Sequence, residues 1–481
     1  MTRLVRYFVF SAVLWFPVFS PAQVLERSMI SLQPVPVPRI GSNSVTDVFY
    51  YANRIWLGTG SGVSISEDFG QTWLNLGREN GLGKGGVSAM AFYGNSVWVA
   101  TAFDTLTADA GKLPAGGGLS YSDDLGRTWH YLPQPGLTNV QNVTFDIAIL
   151  DSTIWIASWG GGLKRSDNWG KSWQDVAPDS SAFDPFRHLN HRAFSVLAAD
   201  GILWVGTAQG INRSTDNGKT WVNFNHQNQA QPISGNFVVA LAYQRWQDRR
   251  VIWAATIEAE DPAEFRAVSY SEDYGYTWHT ALKGIFAHNF AVYDSAVYVA
   301  ADKGLYVSVD FGRTWAKFPP VRDVATGQPL LTEEFYAVAV SPDGTIWAGT
   351  PDGLIKSSDG GHTWQILRTY ESLLEEPNVS ETYAYPNPFS PLRHNQFGGE
   401  GHVRIHFRVD RTGPVSITIF DFAMKKVRDL VSGKTFAGRA EYDVAWDGRN
   451  DFDERVANGV YFYRVRLPGG KADWGKIIVM D

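Results

Sequence analysis

Short apolar stretches recur between residues 45 and 340, with turn-forming residues between them. Several of them are apolar at consecutive positions, which is typical of strands buried on both faces of a sheet. Alanine is frequent in these stretches, so each is predicted to be the innermost strand of a repeat, where side chains crowd together. The seven stretches are 45–50, 87–92, 144–149, 194–199, 237–242, 290–293 and 335–340.

A second pattern of five positions follows each stretch, [IVL]-[WY]-x-[GA]-[TS], in which an aliphatic residue precedes an aromatic one and two small residues end the pattern. Residues 55–59, 203–207 and 346–350 show it clearly. A Gly-led stretch such as 210–214 comes next and leads into the octapeptide S-x-D-x-G-x-[ST]-W, whose tryptophan opens a fourth strand. The sequence therefore predicts a repeating unit of four antiparallel strands.

The octapeptide occurs seven times, and its tryptophans lie 37 to 57 residues apart, the length of one four-stranded propeller blade. Its third residue is predicted to accept hydrogen bonds from the N–H groups of its own turn, while its glycine takes a positive φ. These third residues are Asp68, Asp124, Asn168, Asp216, Asp273, Asp310 and Asp359. The alternative is a set of metal-binding or catalytic carboxylates, but a carboxylate engaged by its own turn has a structural role.

The octapeptide resembles the Asp-box, or BNR, repeat of sialidase-like propellers. Seven copies also resemble the photosystem II assembly factor family, although its arginine-lined face has no evident counterpart here. The resemblance implies a seven-bladed β-propeller, predicted over residues 40–368, and places the boxes away from any ligand site. Asn168 departs from the pattern, but its amide can cap the same turn.

Composition and the N-terminus suggest an exported protein. Residues 1–22 resemble a signal peptide, with a basic start, an apolar run over 7–19 and a small residue at the expected cleavage site. Residues 23–39 are predicted to be an extended lead-in. No later apolar segment is long enough for a transmembrane helix. The absence of cysteine excludes disulfides and thiolate metal sites, and a net charge of −7 without a basic run argues against nucleic acid as a partner.

The C-terminal part reads as a second domain. Residues 369–382 are acidic and are predicted to be a linker, and short alternating strands over 383–481 predict a β-sandwich. The motifs YPNPF (385–389), WDGRN (446–450) and GVYFY (459–463) resemble FlgD Ig-like domains and C-terminal sorting domains of type IX secretion. That resemblance implies the secretion machinery as a partner. The expected fold class is all-β, a seven-bladed β-propeller followed by an Ig-like β-sandwich.

In a propeller, the loops between second and third strands and the loops between blades share one face, here called the loop face. The octapeptide turns lie on the opposite face, here called the box face. Long loops are predicted on the loop face, among them residues 102–117 of blade 2 and 257–267 of blade 5, and function usually resides in such loops. The predicted ligand contacts there are Arg187, His188, His191, Arg192, Trp159, Asp104 and Glu258. Their mixed charge and aromatic content favour a glycan or protein ligand, and no cofactor or metal is expected.

Two groups in these loops have a second interpretation. Residues 187–192 contain His-x-x-His, which could bind a metal if helical, although paired loop histidines are the favoured explanation. Glu258, Glu260, Asp261 and Glu264 could form a paired-carboxylate site, although a solvated acidic loop is favoured.

Two functions remain open: a recognition or scaffold propeller, and a glycoside hydrolase of sialidase-like type. The resemblance implies that a sialidase would need arginines for a substrate carboxylate, a Tyr with a Glu partner and an acidic Asp. The nearest match to the Arg-Ile-Pro motif is residues 39–41, which lack the proline, and the predicted innermost strands contain no arginine. These departures favour the non-enzymatic function.

Overall fold

The computed structural model describes residues 35–107, 111–370 and 382–481. The predicted signal peptide lies outside these residues, as do most of the predicted lead-in and most of the predicted linker. Within the described ranges, the regular structure is β apart from two single-turn 3-10 helices, Arg78–Asn80 and Leu189–His191. None of the described residues forms a helix with the length and apolar character needed to span a membrane.

Seven four-stranded antiparallel sheets form the blades, and each pairs its strands in chain order. Blades 1 to 4 contain β1 (Val45–Tyr51), β2 (Arg54–Thr59), β3 (Gly62–Ser66), β4 (Leu74–Leu76), β5 (Gly86–Tyr93), β6 (Ser96–Thr107), β7 (Gly111–Ser122), β8 (His130–Leu132), β9 (Thr144–Leu150), β10 (Thr153–Ser158), β11 (Gly162–Ser166), β12 (Gln174–Val176), β13 (Ala193–Ala199), β14 (Ile202–Thr207), β15 (Gly210–Ser214) and β16 (Val222–Phe224). Blades 5 to 7 contain β17 (Phe237–Trp246), β18 (Arg249–Ile257), β19 (Ala267–Ser271), β20 (His279–Ala281), β21 (Ala287–Tyr293), β22 (Ala296–Ala301), β23 (Gly304–Ser308), β24 (Ala316–Lys317), β25 (Ala337–Val340), β26 (Ile346–Thr350), β27 (Gly353–Ser357) and β28 (Gln365–Leu367).

The blades form a closed ring. The first strands of successive blades pack side by side around a central channel, and β25 packs against β1. At this closure the side-chain amide of Asn43 donates to the carbonyl of Thr369 at 2.9 Å and accepts the Thr369 N–H at 2.7 Å. The seven-bladed propeller predicted from the octapeptides is confirmed.

Tryptophans of the second strands connect neighbouring blades. The largest fully buried side chains of the propeller include these residues: Trp56, Trp98, Trp155, Trp204, Trp253 and Trp347. Gly218 of the blade 4 octapeptide has a φ of +81°, and a Cβ there would come within 2.3 Å of the Trp155 ring of blade 3. Gly70 of blade 1 lies against Trp347 of blade 7 in the same way. A single repeat cannot bury its tryptophan alone, so the blades stabilise one another.

The octapeptide turns have the predicted hydrogen bonds. Asp216 accepts the N–H groups of Lys219 and Thr220 at 3.0 and 2.9 Å, and the Thr220 hydroxyl at 2.6 Å. Asn168 occupies the equivalent position in blade 3, where its Oδ1 accepts the Ser172 N–H at 2.9 Å and its Nδ2 donates to the Ser172 hydroxyl at 2.8 Å. A side-chain amide can therefore cap this turn as a carboxylate does.

One predicted loop is partly wrong. Residues 102–117 of blade 2 were predicted to be a loop, but β6 and β7 extend into this segment as a paired hairpin up to Thr107 and Gly111. Many of its side chains are exposed, so the segment lacks the apolar pattern of a core strand.

The C-terminal region is a two-sheet β-sandwich. Its strands are β29 (Thr382–Tyr385), β30 (Val403–Val409), β31 (Gly413–Phe420), β32 (Lys426–Phe436), β33 (Ala440–Trp446), β34 (Gly459–Arg466) and β35 (Ala472–Val479). The sheets have strand orders β29-β30-β33 and β32-β31-β34-β35. Phe389, Phe407, Trp446 and Tyr463 are among the buried residues between them.

The sandwich packs against the loop face of blades 6 and 7, which the sequence did not indicate. Asp352, in the turn between β26 and β27, accepts hydrogen bonds from Arg404 of β30 at 2.6 Å and from Arg368 at 2.7 Å. All three side chains are almost fully buried. Burial alone would raise the pKa of Asp352, but the two guanidinium charges outweigh it and hold this pKa below its usual range.

Candidate functional site

The loop face of blades 3 and 4 carries an exposed cluster around Trp159. The Trp159 ring meets Phe186 edge-to-face at 5.9 Å, and the Arg192 guanidinium lies 5.8 Å from the same ring. Arg192 also donates to the carbonyls of Pro185 and Phe186, at 2.7 Å each, so it holds the loop in place. The Arg187 side chain is 85% exposed and Phe186 is 54% exposed, and these two are the residues most available to a ligand.

His191 does not face a ligand, contrary to the prediction. It is fully buried, its Nδ1 accepts the Asp184 N–H at 2.9 Å, and its Nε2 lies 3.1 Å from the Asp179 carboxylate. Because Nδ1 accepts, Nε2 carries the proton and donates to Asp179. Burial would raise the pKa of Asp179, but hydrogen bonds from the Ser181 N–H and from His191 outweigh it and lower this pKa to about 2.

His188 is the exposed partner of this pair, with its ring 4.9 Å from that of His191. Both nitrogens of His191 are already engaged within the loop, so the His-x-x-His segment is not arranged as a metal site. In the described part of the chain, no three His, Cys, Asp or Glu side chains come together in a way that could hold a metal ion.

Asp104 is linked to the Trp159 cluster through the main chain. It lies on the β6–β7 hairpin and forms an exposed ion pair with Lys112 at 2.8 Å. The carbonyl of Pro114, on the same hairpin, accepts the Gln141 N–H at 2.7 Å. The Gln141 carbonyl in turn accepts the N–H of Gly160, next to Trp159, at 3.1 Å. Blades 2 and 3 therefore form one continuous surface.

The acidic loop of blade 5 matches neither interpretation: its carboxylates do not form a paired site, and not all of them are solvated. Glu258 pairs with Arg266 at 2.5 Å. Glu264 is buried and accepts the N–H groups of Asn236 and Ala259 at 2.9 and 2.7 Å, so it organises its own loop. Glu258 remains on the surface of blade 5, and no contact among the described residues joins it to the Trp159 cluster.

The first strands of the blades enclose a central channel with a volume of about 500 Å³. In blades 1 to 6 the first strand has a β-bulge close to its start, at the loop-face end of the channel. The bulge residues are Thr46, Ser88, Phe145, Phe194, Val239 and His288. An alignment of the repeats on the Gly or Ala of the second strand would have revealed this position.

Three of the blades place an aromatic arc at the channel mouth. The Phe145 and Phe194 rings stack with centroids 5.7 Å apart, and Phe194 lies 4.1 Å from Phe237. Phe145 is 42% exposed. Sequence reasoning missed this arc because apolar residues in an innermost strand are normally assigned to the core.

Two carboxylates, Asp47 and Asp146, directly follow bulge residues in the chain and line the channel. Asp146 accepts the N–H of Val196 in the next blade at 2.9 Å, and Asp47 accepts the N–H of Val48 at 3.1 Å. Loss of water around the carboxylate, followed by the nearby charge of Asp146, raises the pKa of Asp47 to about 8. Loss of water also raises the pKa of Asp146 to about 7.

We expect Asp47→Asn to stabilise the protein at pH 8 and to have little effect below pH 4. Because the folded-state pKa exceeds the value of about 3.9 for an unfolded Asp, wild-type stability should fall as pH rises from about 4 to about 8. One pKa unit corresponds to about 1.4 kcal/mol, and we expect at least this gain at pH 8. Thermal unfolding across this pH range measures it, with the exposed Asp248→Asn as control. A variant less stable than wild type at pH 8 would contradict this account.

A second cavity, of about 430 Å³, lies between the sandwich and the loop face of blades 6 and 7. Asp302, Glu334 and Tyr336 line its propeller side, and Arg393 lines its sandwich side. Tyr336 also lines the channel. Burial, followed by the nearby charge of Glu334, raises the pKa of Tyr336 to about 12.

No protein-family model matches the chain, and no curated protein matches it. Among solved structures, the chain is similar to a GH74 enzyme of Niastella koreensis, with a TM-score of 0.51, 12% identity, and coverage of 92% of this chain and 74% of that one. A GH74 xyloglucanase of Xanthomonas campestris has a TM-score of 0.50 and 18% identity, with coverage of 78% of this chain and 59% of that one. YCF48 of Cyanidioschyzon merolae has a TM-score of 0.44 and 16% identity, with coverage of 67% of this chain and 97% of that one. At such identities, the similarity to the two GH74 proteins establishes a shared propeller fold and no shared chemistry.

Proposed function

We propose that this protein is a secreted or cell-surface recognition propeller whose ligand, a glycan or a protein, binds on the loop face of blades 2 to 5. The observation that carries the proposal is the exposed surface around Trp159. It combines the exposed Phe186 ring and the exposed Arg187 guanidinium, and Phe145 adds a further exposed ring on the same face, at the channel mouth. Rigid aromatic side chains beside an exposed arginine are the side chains that dominate binding energy at recognition surfaces.

A second candidate function, glycoside hydrolysis of sialidase-like type, is supported by one observation. Tyr336, Glu334 and Asp302, a tyrosine and two acids as a sialidase would need, line the cavity between the propeller and the sandwich together. The raised pKa of Tyr336 works against this function, because a phenol that retains its proton is a weak nucleophile. Recognition without turnover is therefore the better-supported function.

The test is a panel of glycans, glycosides and peptides, scored for binding and for turnover. We expect Phe186→Ala with Arg187→Ala to weaken binding at least tenfold, about 1.4 kcal/mol, without lowering the melting temperature. The matched control is Tyr274→Ala with Arg313→Ala, an exposed aromatic and an exposed arginine of the box face. An equal loss in the control would contradict the assigned face. Turnover that Tyr336→Phe abolishes would instead establish the hydrolase.

We also propose that residues 1–22 direct export and that the sandwich connects the protein to the secretion machinery. The support is the resemblance of the N-terminus to a signal peptide, together with the YPNPF, WDGRN and GVYFY motifs of the sandwich. Fractionation of cells that express the full chain tests this proposal. Retention of the full-length protein in the cytoplasm would refute it.

A further inference from the structure

The two sheets of the sandwich have different surroundings. The sheet β29-β30-β33 carries the side that packs on the propeller, where Arg404 pairs with Asp352 and the His406 ring lies 4.6 Å from Tyr370. The sheet β32-β31-β34-β35 lies on the other side of the sandwich core. Along β34, buried residues alternate with residues that point outwards, so this second sheet has a distinct outer face.

That outer face carries a band of aromatic side chains. Phe420 is paired across the sheet with Phe462, and Arg464 with Trp474. The Phe420 and Trp474 rings lie 5.5 Å apart, and the Arg464 guanidinium lies 5.1 Å from the first ring and 5.4 Å from the second. Trp474 is 43% exposed, and with the Phe420 ring beside it forms a contiguous apolar patch, the kind of surface that marks interaction sites.

The same face carries a positive charge in an acidic protein. Arg466 and Lys476 are exposed and flank the band, and their cross-strand neighbours on β35 and β34 are Ala472 and Phe462. Asp429, at the β32 side of the face, is paired with Lys426 at 2.9 Å. The whole chain has a net charge of −7, so this patch is opposite in sign to the chain as a whole. Charge complementarity therefore points to an anionic partner.

We propose that this outer face binds an anionic polysaccharide. The apolar faces of its sugar rings would pack on Phe420, Phe462 and Trp474, while Arg464, Arg466 and Lys476 would pair with its carboxylate or sulfate groups. A polysaccharide fits better than a nucleic-acid duplex, since affinity for a duplex comes largely from cations that neutralise its phosphates and this face offers three. This face is separate from the loop face, so an experiment can refute one of the two binding proposals without refuting the other.

The test measures binding of the full chain to polygalacturonate, with neutral dextran and a single-stranded oligonucleotide as comparison polymers. We expect saturable binding to polygalacturonate that weakens as salt is raised, and at least fivefold weaker binding to dextran and to the oligonucleotide. Trp474→Ala should reduce the affinity at least fivefold, and Arg466→Gln should reduce the salt dependence. The matched control is Trp246→Ala, because Trp246 is a similarly exposed tryptophan of the propeller, 37% against 43%.

Each result decides the matter. Loss of binding in Trp474→Ala but not in Trp246→Ala, with both melting temperatures unchanged, supports the proposal. Equal binding to dextran overturns the role of charge, and preferential binding to the oligonucleotide identifies a nucleic-acid surface instead. Polygalacturonate binding that is absent, or that Trp474→Ala leaves intact, overturns the proposal whatever the loop-face experiments show.

Discussion

Arg404→Ala is expected to lower the free energy of unfolding by about 3 to 5 kcal/mol, the usual cost of removing one partner from a buried ion pair. Arg404 is 2% exposed and donates to Asp352 at 2.6 Å. Its loss leaves a buried carboxylate with Arg368 as its remaining ion-pair partner. We expect calorimetry to show the sandwich unfolding earlier, as a separate transition, because this contact joins it to the propeller.

Arg408→Ala is the matched control. Arg408 lies on the same strand and pairs with Asp410 at 2.8 Å, but both side chains are at least one-third exposed, so we expect a change of at most about 1 kcal/mol. If both variants lost the same stability, the inter-domain ion pair would not be a principal contact between the domains.

The effect of Arg404→Ala should also depend on pH. The pKa of Asp352 is lowered in the folded state, so its contribution is present above the unfolded value of about 3.9 and is lost as pH falls through the folded value. The difference between variant and wild type should therefore shrink in acid. A difference that stays constant from pH 7 to pH 3 would argue for lost packing in place of lost charge.

Asp273→Ala is expected to destabilise the propeller by about 1 to 3 kcal/mol, because partly buried donors lose their acceptor. Asp273 accepts the Thr277 N–H at 2.9 Å and the hydroxyls of Thr277 and Ser271 at 2.7 and 2.8 Å. Denaturant unfolding gives the size of the effect. Ligand binding on the opposite face should not change at temperatures where the variant is folded.

Asp273→Asn separates charge from hydrogen bonding. Asn168 already fills this position in blade 3, so we expect the amide to retain most of the stability. Burial would raise the pKa of Asp273, but the turn hydrogen bonds outweigh it and lower this pKa. The stability advantage of wild type over Asp273→Asn should therefore shrink as pH falls below about 4 and be lost as pH falls through the folded-state pKa. An Asn variant as unstable as the Ala variant would show that the turn requires the charge.

The blades and their order were predictable from the sequence because each octapeptide is a local device. Its Ser, Asp and Gly form the hydrogen bonds and the backbone conformation of one turn within eight residues, so the pattern can be recognised from the sequence alone. The capping role of Asn168 was predicted for the same reason. The β6–β7 hairpin was missed, because its exposed and half-buried side chains show no apolar period.

The predicted ligand contacts stay a prediction, because no ligand-binding result tests them. Arg192 lies against Trp159, but nothing local showed that His191 turns inward to Asp179.

What the sequence alone determined is the repeat, its seven copies and the strands of the sandwich, since periodicity and turn chemistry act over short distances. The tertiary structure decided everything that depends on ring closure and docking. Closure brings together bulge residues about 40 to 60 positions apart to form the channel mouth. Docking pairs Asp352 with Arg404, 52 positions away, and so places the sheet β29-β30-β33 against the propeller. No local pattern encodes these contacts, because burial and charge pairing act between segments that only the folded chain makes neighbours.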